Sequence, residues 1–176
     1  MNLERVTKQN LDLAVSIQEE LFPGESGRAN FEDSLNHTCD YEYYLIIQDG
    51  ACAGIIGLYQ VPEDPDSAWL GWFGIRSAYR RNRLGSKALK WFEGLAASRG
   101  YRFARLYTDE FDNDEAIAFY EANGYVSEPY RNPDDPACMK CPTLIFSKSL
   151  NGTELVKWTS RNIHLTEQIA KQNQYR

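Results

Sequence analysis

Apolar residues in this chain recur at two spacings, one typical of helices and the other typical of strands. Across Leu11–Leu21 they fall at roughly helical intervals, and Pro23-Gly24 follows as a stop signal. Leu84–Leu95 repeats that spacing before Gly100, a residue type common just past a helix end. Two shorter helices are predicted over Phe31–Asn36 and Asp114–Asn123.

Runs rich in β-branched and aromatic residues predict the strands of this protein. They cover Leu3–Thr7, Tyr43–Gln48, Ala51–Tyr59, Trp69–Ile75, Phe103–Tyr107, Tyr125–Glu128 and Leu144–Leu150. Asp49-Gly50 suits both positive-φ positions of a type I′ turn and so predicts a hairpin. Loops are expected over Pro62–Asp66 and Pro129–Pro142. The element order predicts an α+β fold with one central, mostly antiparallel sheet flanked by helices.

The length of the chain, 176 residues, suits one domain with a short appendage. We predict that the domain occupies residues 1–150. The tail, residues 151–176, carries scattered apolar side chains among polar ones. Two interpretations of the tail stay open: a terminal helix that docks on the domain or on a second subunit, and a partly ordered segment.

Charge and composition exclude several classes of partner. The net charge is −6 and the chain has no basic run, so nucleic acid is not expected as a partner. No apolar stretch reaches the length of a membrane span, and no signal peptide is recognisable at the start. A cytoplasmic location without membrane attachment is therefore expected.

The cysteines carry no clear metal or disulfide pattern. Their spacing is irregular, which favours reduced thiols. They are Cys39, Cys52, Cys138 and Cys141. The last two form a lone Cys-x-x-Cys pair without the second pair of ligands that zinc needs, so no metal is expected.

An arginine-rich turn joins the buried fourth strand to the helix that begins near Leu84. Its arginines are Arg76, Arg80, Arg81 and Arg83. A helix N-terminus offers unbonded N–H groups and the positive end of the helix dipole, and arginine side chains add forked donors. The turn therefore suits an anion such as a diphosphate, with small Gly85 and Ser86 permitting close approach. A solvated turn, with Gly85 only a packing residue, is the alternative.

Two segments resemble motifs of the GCN5-related N-acetyltransferase (GNAT) family. Ile75–Ser86 is similar to motif A: Arg80 takes the first motif position and Gly85 the last, whereas Arg83 stands where a glycine is usual. Asn113–Tyr125 is similar to motif B, with an Asn, a later Ala and a Phe-Tyr pair before a Gly. The two motifs follow in the family's order, which supports the resemblance more than either does alone.

The resemblance implies the GNAT fold, a three-layer α/β arrangement whose mixed sheet splays between its fourth and fifth strands. Acetyl-CoA would be the cosubstrate, with its pantetheine arm in that cleft. The backbone near Phe73 and Ile75 would pair with the pantetheine amides, and Asn113 would contact the pantetheine or its surroundings. The diphosphate would be held by Arg80, Arg81, Asn82, Arg83, Leu84, Gly85 and Ser86.

The resemblance also implies direct attack of an amine on the thioester carbonyl, without an acyl-enzyme. Tyr120 matches the family tyrosine that protonates the leaving thiolate; a core aromatic beside Phe119 is the alternative. The amine must give its proton to a base or a water chain. Many relatives carry a carboxylate on the fourth strand, but Trp69–Ile75 contains none. The candidates are an ordered water or one of Asp109, Glu110 and Asp112.

The amine acceptor is less well defined by the sequence. Acidic residues are common in the first quarter of the chain, and they would attract a cationic amine or form an ordinary acidic surface. An aromatic acceptor pocket, or simply core, is expected from Tyr41, Tyr43, Tyr44, Trp69 and Trp72. The sequence thus predicts an N-acetyltransferase that transfers acetyl to a primary amine of a small molecule or peptide, with homodimerisation left open. The alternatives are a non-catalytic CoA-binding module and an interaction protein whose tail recruits a partner.

Overall fold

The computed structural model describes residues 1–36, 41–61, 64–131 and 142–158. Within these ranges the strands are β1 (Asn2–Arg5), β2 (Tyr41–Gln48), β3 (Ala51–Val61), β4 (Asp64–Ile75), β5 (Phe103–Asp109), β6 (Val126–Tyr130) and β7 (Thr143–Ser149). The α-helices are α1 (Leu11–Leu21), α2 (Arg28–Leu35), α3 (Leu84–Ser98) and α4 (Asp114–Ala122). A single 3₁₀ turn, Ser77–Tyr79, follows β4.

The strands form a seven-stranded sheet in the order β1-β2-β3-β4-β5-β7-β6. The pairs β1–β2, β2–β3, β5–β7 and β6–β7 are antiparallel. The β2–β3 hairpin turns at Asp49 and Gly50, whose φ angles of 53° and 78° match the predicted type I′ turn. Together with the four helices, this confirms the predicted α+β class.

The chain divides into two compact units. Unit 1 comprises Met1–Gln60 and Trp69–Leu95. Its core lies between β1, β2, β3 and the first two helices, with Phe31 edge-on to Tyr43 at 4.7 Å between ring centroids. Unit 2 comprises Val61–Ala68 and the described chain from Ala96 onward. Its core contains Phe103, Phe146 and other side chains of β5 and β7.

The fourth strand begins earlier than its aromatic run predicts. We expected a loop over Pro62–Asp66, but Asp64 and Asp66 belong to β4. The physical reason is that both carboxylates have arginine partners in unit 2. Asp64 lies 3.5 Å from buried Arg105, and Asp66 lies 3.3 Å from exposed Arg102. The pattern of polar residues predicts a loop here, but it does not reveal the arginine partners that allow these aspartates to lie in a strand.

The sixth strand also runs further than predicted. Pro129 was expected to begin a loop, but it lies inside β6, where it pairs with Leu144. Proline lacks a backbone N–H and is tolerated at the edge of a sheet, which is where the strand order places β6. Residues 132–141 of the predicted loop lie outside the described residues.

The start of the tail packs into unit 2. Trp158 is fully buried, and the Val156 carbonyl accepts a hydrogen bond from the Nη2 atom of Arg105 at 2.7 Å. Residues 159–176, where a docking helix was considered, lie outside the described residues. The division into a domain of residues 1–150 and a tail stays a prediction.

Candidate functional site

The turn between β4 and α3 has an unusual backbone. Arg81 and Arg83 both adopt positive φ angles, 65° and 57°, which is left-handed backbone that favours glycine. The N–H of Lys87 donates to the Arg83 carbonyl at 3.0 Å, the first hydrogen bond of the helical ladder. The N–H groups of Leu84, Gly85 and Ser86 therefore precede that ladder and have no partner within the helix. These three donors stand at the positive end of the dipole of α3.

Arg83 stands where the motif that this segment resembles has a glycine, and its backbone is left-handed. Its φ angle of 57° lies in the region that favours glycine. An L-residue in this region costs about 1–3 kcal/mol. A glycine at this position would avoid that cost.

The side chains of the turn separate into an exposed charged set and a buried anchor. Arg80, Arg81, Asn82 and Arg83 are exposed, whereas Leu84 is buried. The Nε of Arg80 donates to the Ile75 carbonyl at 2.8 Å, which holds the guanidinium near the end of β4. The anchored Leu84 fixes the start of α3, and the exposed guanidinium groups give the turn a positive surface.

Arg76 has a different role from the other arginines of the segment. Its guanidinium pairs with Glu20 on α1, with an Nη2–Oε2 distance of 2.9 Å, and donates to the Cys52 carbonyl at 3.1 Å. The hydrogen bond that Arg76 donates to the Glu20 carboxylate raises the pKa of Arg76 above its ordinary value. Arg76 therefore ties α1, β3 and β4 together.

The two predicted β4 positions differ in their surroundings. Phe73 is half-buried and Ile75 is buried. The Ile75 carbonyl accepts the hydrogen bond from Arg80. Trp72, directly before Phe73 in β4, has a φ of 38°. The sequence predicts only an aromatic residue for a pocket or a core here, and no sequence signal identifies this backbone conformation.

Tyr120 lies on α4 in unit 2, within an aromatic cluster. Its ring centroid lies 5.4 Å from that of Phe146 and 6.0 Å from that of Tyr125. Burial raises the pKa of the Tyr120 phenol well above its ordinary range. The hydroxyl group is therefore protonated at neutral pH, and the higher pKa makes it a weaker acid than a free phenol. The role of Tyr120 as the acid stays a prediction, with a core aromatic as the alternative.

Asn113 caps the helix that carries Tyr120. Its carbonyl accepts hydrogen bonds from Ala116 and Ile117 at 3.1 and 3.0 Å. The side-chain amide nitrogen donates to the hydroxyl group of Thr108 at the end of β5. Because the amide nitrogen of Asn113 is a donor to Thr108, the Oδ1 atom is the part of this side chain that accepts hydrogen bonds. Thr108, which fixes that orientation, was not a sequence candidate.

The three carboxylates considered as bases are not equivalent. Asp109 ends β5 and is exposed, and Asp112 is exposed with a φ of 58°. Glu110 is less exposed and forms an ion pair with Arg131. That partner occupies one of its oxygens. Asp109 and Asp112 are therefore the more accessible pair.

The candidate acceptor aromatics divide into core and partly exposed residues. Tyr43 and Trp69 are buried in unit 1 and belong to its packing. Tyr41, Tyr44 and Trp72 are half-buried. Tyr44 packs edge-on against Trp91 at 4.8 Å, and its hydroxyl group donates to Glu42 at 2.6 Å.

Of the cysteines, Cys52 lies within the described residues. It is a half-buried free thiol, and burial raises its pKa. Among the described residues no group of three His, Cys, Asp or Glu side chains is placed to hold a metal ion. Cys39, Cys138 and Cys141 lie outside the described ranges, as does His37. Every helix within those ranges is too short or too polar to span a lipid bilayer.

Comparison with known proteins shows the family of this chain. The sequence profile of the acetyltransferase (GNAT) family matches residues 10–125, which include the turn at the start of α3 and the whole of α4. The chain belongs to the GNAT acetyltransferase family. No curated protein matches the sequence.

Solved GNAT structures share the fold across almost their full length. The ribosomal-protein-S18-alanine N-acetyltransferase of Escherichia coli is 21% identical, with a TM-score of 0.67 over 89% of this chain and 99% of that one. The aminoglycoside 6′-N-acetyltransferase of Enterococcus faecium is 19% identical, with a TM-score of 0.66 over 88% and 100%. An aminoglycoside 6′-N-acetyltransferase complexed with coenzyme A is 18% identical, with a TM-score of 0.67 over 88% and 100%. At these identities the likeness shows the fold alone.

Proposed function

We propose that this GNAT protein is an N-acetyltransferase that moves acetyl from acetyl-CoA directly to a primary amine. The observation that carries the proposal is the left-handed turn at Arg81 and Arg83, which precedes the first-turn amides of α3. A diphosphate is an anion of the size and charge that such a helix N-terminus binds. The same fold binds coenzyme A in one structural relative.

The residues of the turn would act as follows. The N–H groups of Leu84, Gly85 and Ser86 donate to diphosphate oxygens. The guanidinium groups of Arg80, Arg81 and Arg83, together with the Asn82 amide, add charge and donors from the solvent side. The backbone of β4 near Phe73 and Ile75 pairs with the pantetheine amides. Acetyl-CoA supplies the activated acyl group when bound.

Tyr120 is proposed as the acid of the reaction. Its phenol is protonated at neutral pH and would donate that proton to the thiolate that leaves when the amine displaces it. Asn113 offers its Oδ1 atom to a pantetheine N–H, because Thr108 fixes its amide nitrogen. The proton of the attacking amine passes to water or to Asp109 or Asp112.

The acceptor is proposed to be a primary amine of a small molecule or a peptide. Two structural relatives differ in acceptor class: one is an aminoglycoside 6′-N-acetyltransferase and the other is a ribosomal-protein-S18-alanine N-acetyltransferase. The net charge of −6 favours a cationic acceptor by long-range attraction. A cytoplasmic location and a homodimer stay predictions.

Calorimetric titration with acetyl-CoA tests the proposal most directly. Micromolar or tighter binding is expected, with weaker binding of dephospho-CoA and none of NADH. Gly85→Glu, which adds bulk and negative charge among the three first-turn amides, is expected to abolish binding while the protein stays folded. If wild type shows no binding at millimolar acetyl-CoA, the proposal is wrong.

A non-catalytic CoA-binding module is the second candidate. Its support is the strained Arg83 in place of glycine and the absence of a carboxylate from Trp69–Ile75. Transfer of acetyl to any member of an amine panel, followed by release of free thiol, excludes this candidate. Tyr120→Phe is expected to lower turnover while leaving acetyl-CoA affinity within about twofold, because its proton is needed only as the thiolate leaves. Unchanged turnover in this variant removes Tyr120 from the mechanism.

A further inference from the structure

Trp72 has a backbone conformation that a tryptophan inside a strand rarely adopts. It lies within β4, next to Phe73, and its φ angle is 38°. A bulky residue with positive φ is a genuine outlier, and the cost is of order 1–3 kcal/mol. Such a conformation persists only where its surroundings hold it. The residue therefore needs a structural explanation that its sequence neighbours do not provide.

The side chain of Trp72 supplies that explanation through contacts with two helices. Its indole ring lies edge-on to Phe22, just past the end of α1, with 5.1 Å between centroids and an angle of 64°. Its Nε1 atom donates to the Oδ1 atom of Asn30 on α2 at 3.4 Å. Asn30 itself is buried. The indole thus contacts Phe22 through its ring and Asn30 through its polar end.

Four glycines fit the backbone around Trp72 closely. A Cβ atom on Gly54 of β3 would collide with the carbonyl oxygen of Gly74, and one on Gly57 would lie 2.6 Å from the carbonyl oxygen of Gly71. On the other side, a Cβ atom on Gly74 would lie 3.1 Å from Leu21 and 3.4 Å from Phe22. The β4 backbone from Gly71 to Gly74 therefore packs closely against the β3 glycines and against the end of α1.

We propose that Trp72 is a positioning residue for the cosubstrate: its indole, held by Phe22 and Asn30, fixes the β4 backbone at Phe73 in the conformation that pairs with the pantetheine arm. The inference rests on the proposed function, because that function assigns pantetheine pairing to β4. It adds a residue that neither contacts the phosphates nor belongs to either family motif. Loss of the indole is expected to leave the phosphate cradle intact and to shift the β4 backbone that pairs with the pantetheine arm of acetyl-CoA.

Two ligands separate this role from a general loss of structure. Acetyl-CoA uses both the cradle and the β4 backbone, whereas its fragment 3′-phosphoadenosine 5′-diphosphate keeps the diphosphate and lacks the pantetheine arm. Calorimetry with both ligands on wild type, Trp72→Ala, Trp72→Gly and Trp72→Phe gives the comparison. Trp91→Ala is the matched control, since Trp91 is also half-buried in unit 1 and its ring packs against Tyr44 of β2.

Trp72→Ala and Trp72→Gly are both expected to lose about tenfold in acetyl-CoA affinity, the value of one or two backbone hydrogen bonds. Fragment affinity is expected to stay within about twofold. The glycine variant has no Cβ at the positive-φ position, so a loss there comes from the missing indole and not from strain. Trp72→Phe keeps a ring for Phe22 and loses only the donor to Asn30, and about a threefold loss is expected. Trp91→Ala is expected to bind both ligands like wild type.

The outcomes distinguish this inference from the proposed function. Wild type that fails to bind acetyl-CoA overturns both. Wild type that binds, with Trp72→Ala and Trp72→Gly binding equally well, overturns only the role of Trp72. Equal losses for acetyl-CoA and the fragment also overturn it, because they indicate a structural effect on the whole unit. If neither truncation folds, Trp72→Phe decides: unchanged acetyl-CoA affinity rejects the inference.

Discussion

Replacement of Arg83 by glycine tests whether the turn that forms the phosphate cradle is strained. Arg83 has a φ of 57° at the residue whose carbonyl starts the ladder of α3. Its side chain is exposed. Arg83→Gly removes the Cβ clash, and Arg83→Ala removes the same charge while keeping the Cβ atom.

The expected stability changes follow from that geometry. The left-handed conformation costs an L-residue about 1–2 kcal/mol. Glycine gives back about 0.5–1 kcal/mol of this through its greater freedom in the unfolded chain. A net gain of about 0.5–1 kcal/mol is expected for Arg83→Gly, and about zero for Arg83→Ala. In a chain of this size, 1 kcal/mol corresponds to a shift in Tm of about 2–4 °C.

Urea unfolding and thermal melts of the three proteins measure the difference. The informative quantity is glycine minus alanine, because the charge is lost equally in both variants. If the alanine variant is as stable as the glycine variant, Arg83 carries no strain and the reasoning is refuted. A titration of both variants with acetyl-CoA then asks what the side chain does. About a twofold to fivefold loss of affinity in both, fading at high salt, indicates that the guanidinium contacts phosphate.

Three further predictions concern unit 2. Above about pH 10 the Tyr120 phenol loses its proton in the unfolded chain but keeps it in the folded protein, so the free energy of unfolding should fall as pH rises. Urea titrations at several pH values measure this slope, and Tyr120→Phe should reduce it. Arg105→Met removes the cation from a pair in which both Arg105 and Asp64 are fully buried, and should cost about 3–5 kcal/mol in urea unfolding; a loss under 1 kcal/mol would contradict this. Trp158→Ala should cost about 3–5 kcal/mol by the same assay, because the indole is fully buried. A stability equal to wild type would mean that the tail contributes little to the packing of unit 2.

The local elements of this fold were largely predictable. α1 spans Leu11–Leu21 as its apolar spacing predicts, and the Asp49-Gly50 hairpin has the turn that its residues require. Both depend on interactions between residues close in sequence, which a pattern of spacing and turn residues records. The phosphate cradle was predicted for the same reason, since its donors come from a single strand–turn–helix segment.

What only the tertiary structure decided depends on contacts between distant residues. The sequence shows Arg83 where a glycine is usual, but only the structure shows that this residue adopts a left-handed φ of 57°. The sequence predicted Trp72 as an aromatic residue of a pocket or a core, but not its positive φ. The side chain contacts Phe22 and Asn30, which lie 50 and 42 positions earlier in the chain. The sequence left Asp64 in a loop because the pairing with Arg105 is invisible to periodicity. Hydrophobic pattern and turn chemistry determine which elements form, whereas strain and buried charge are settled by packing partners that no local window contains.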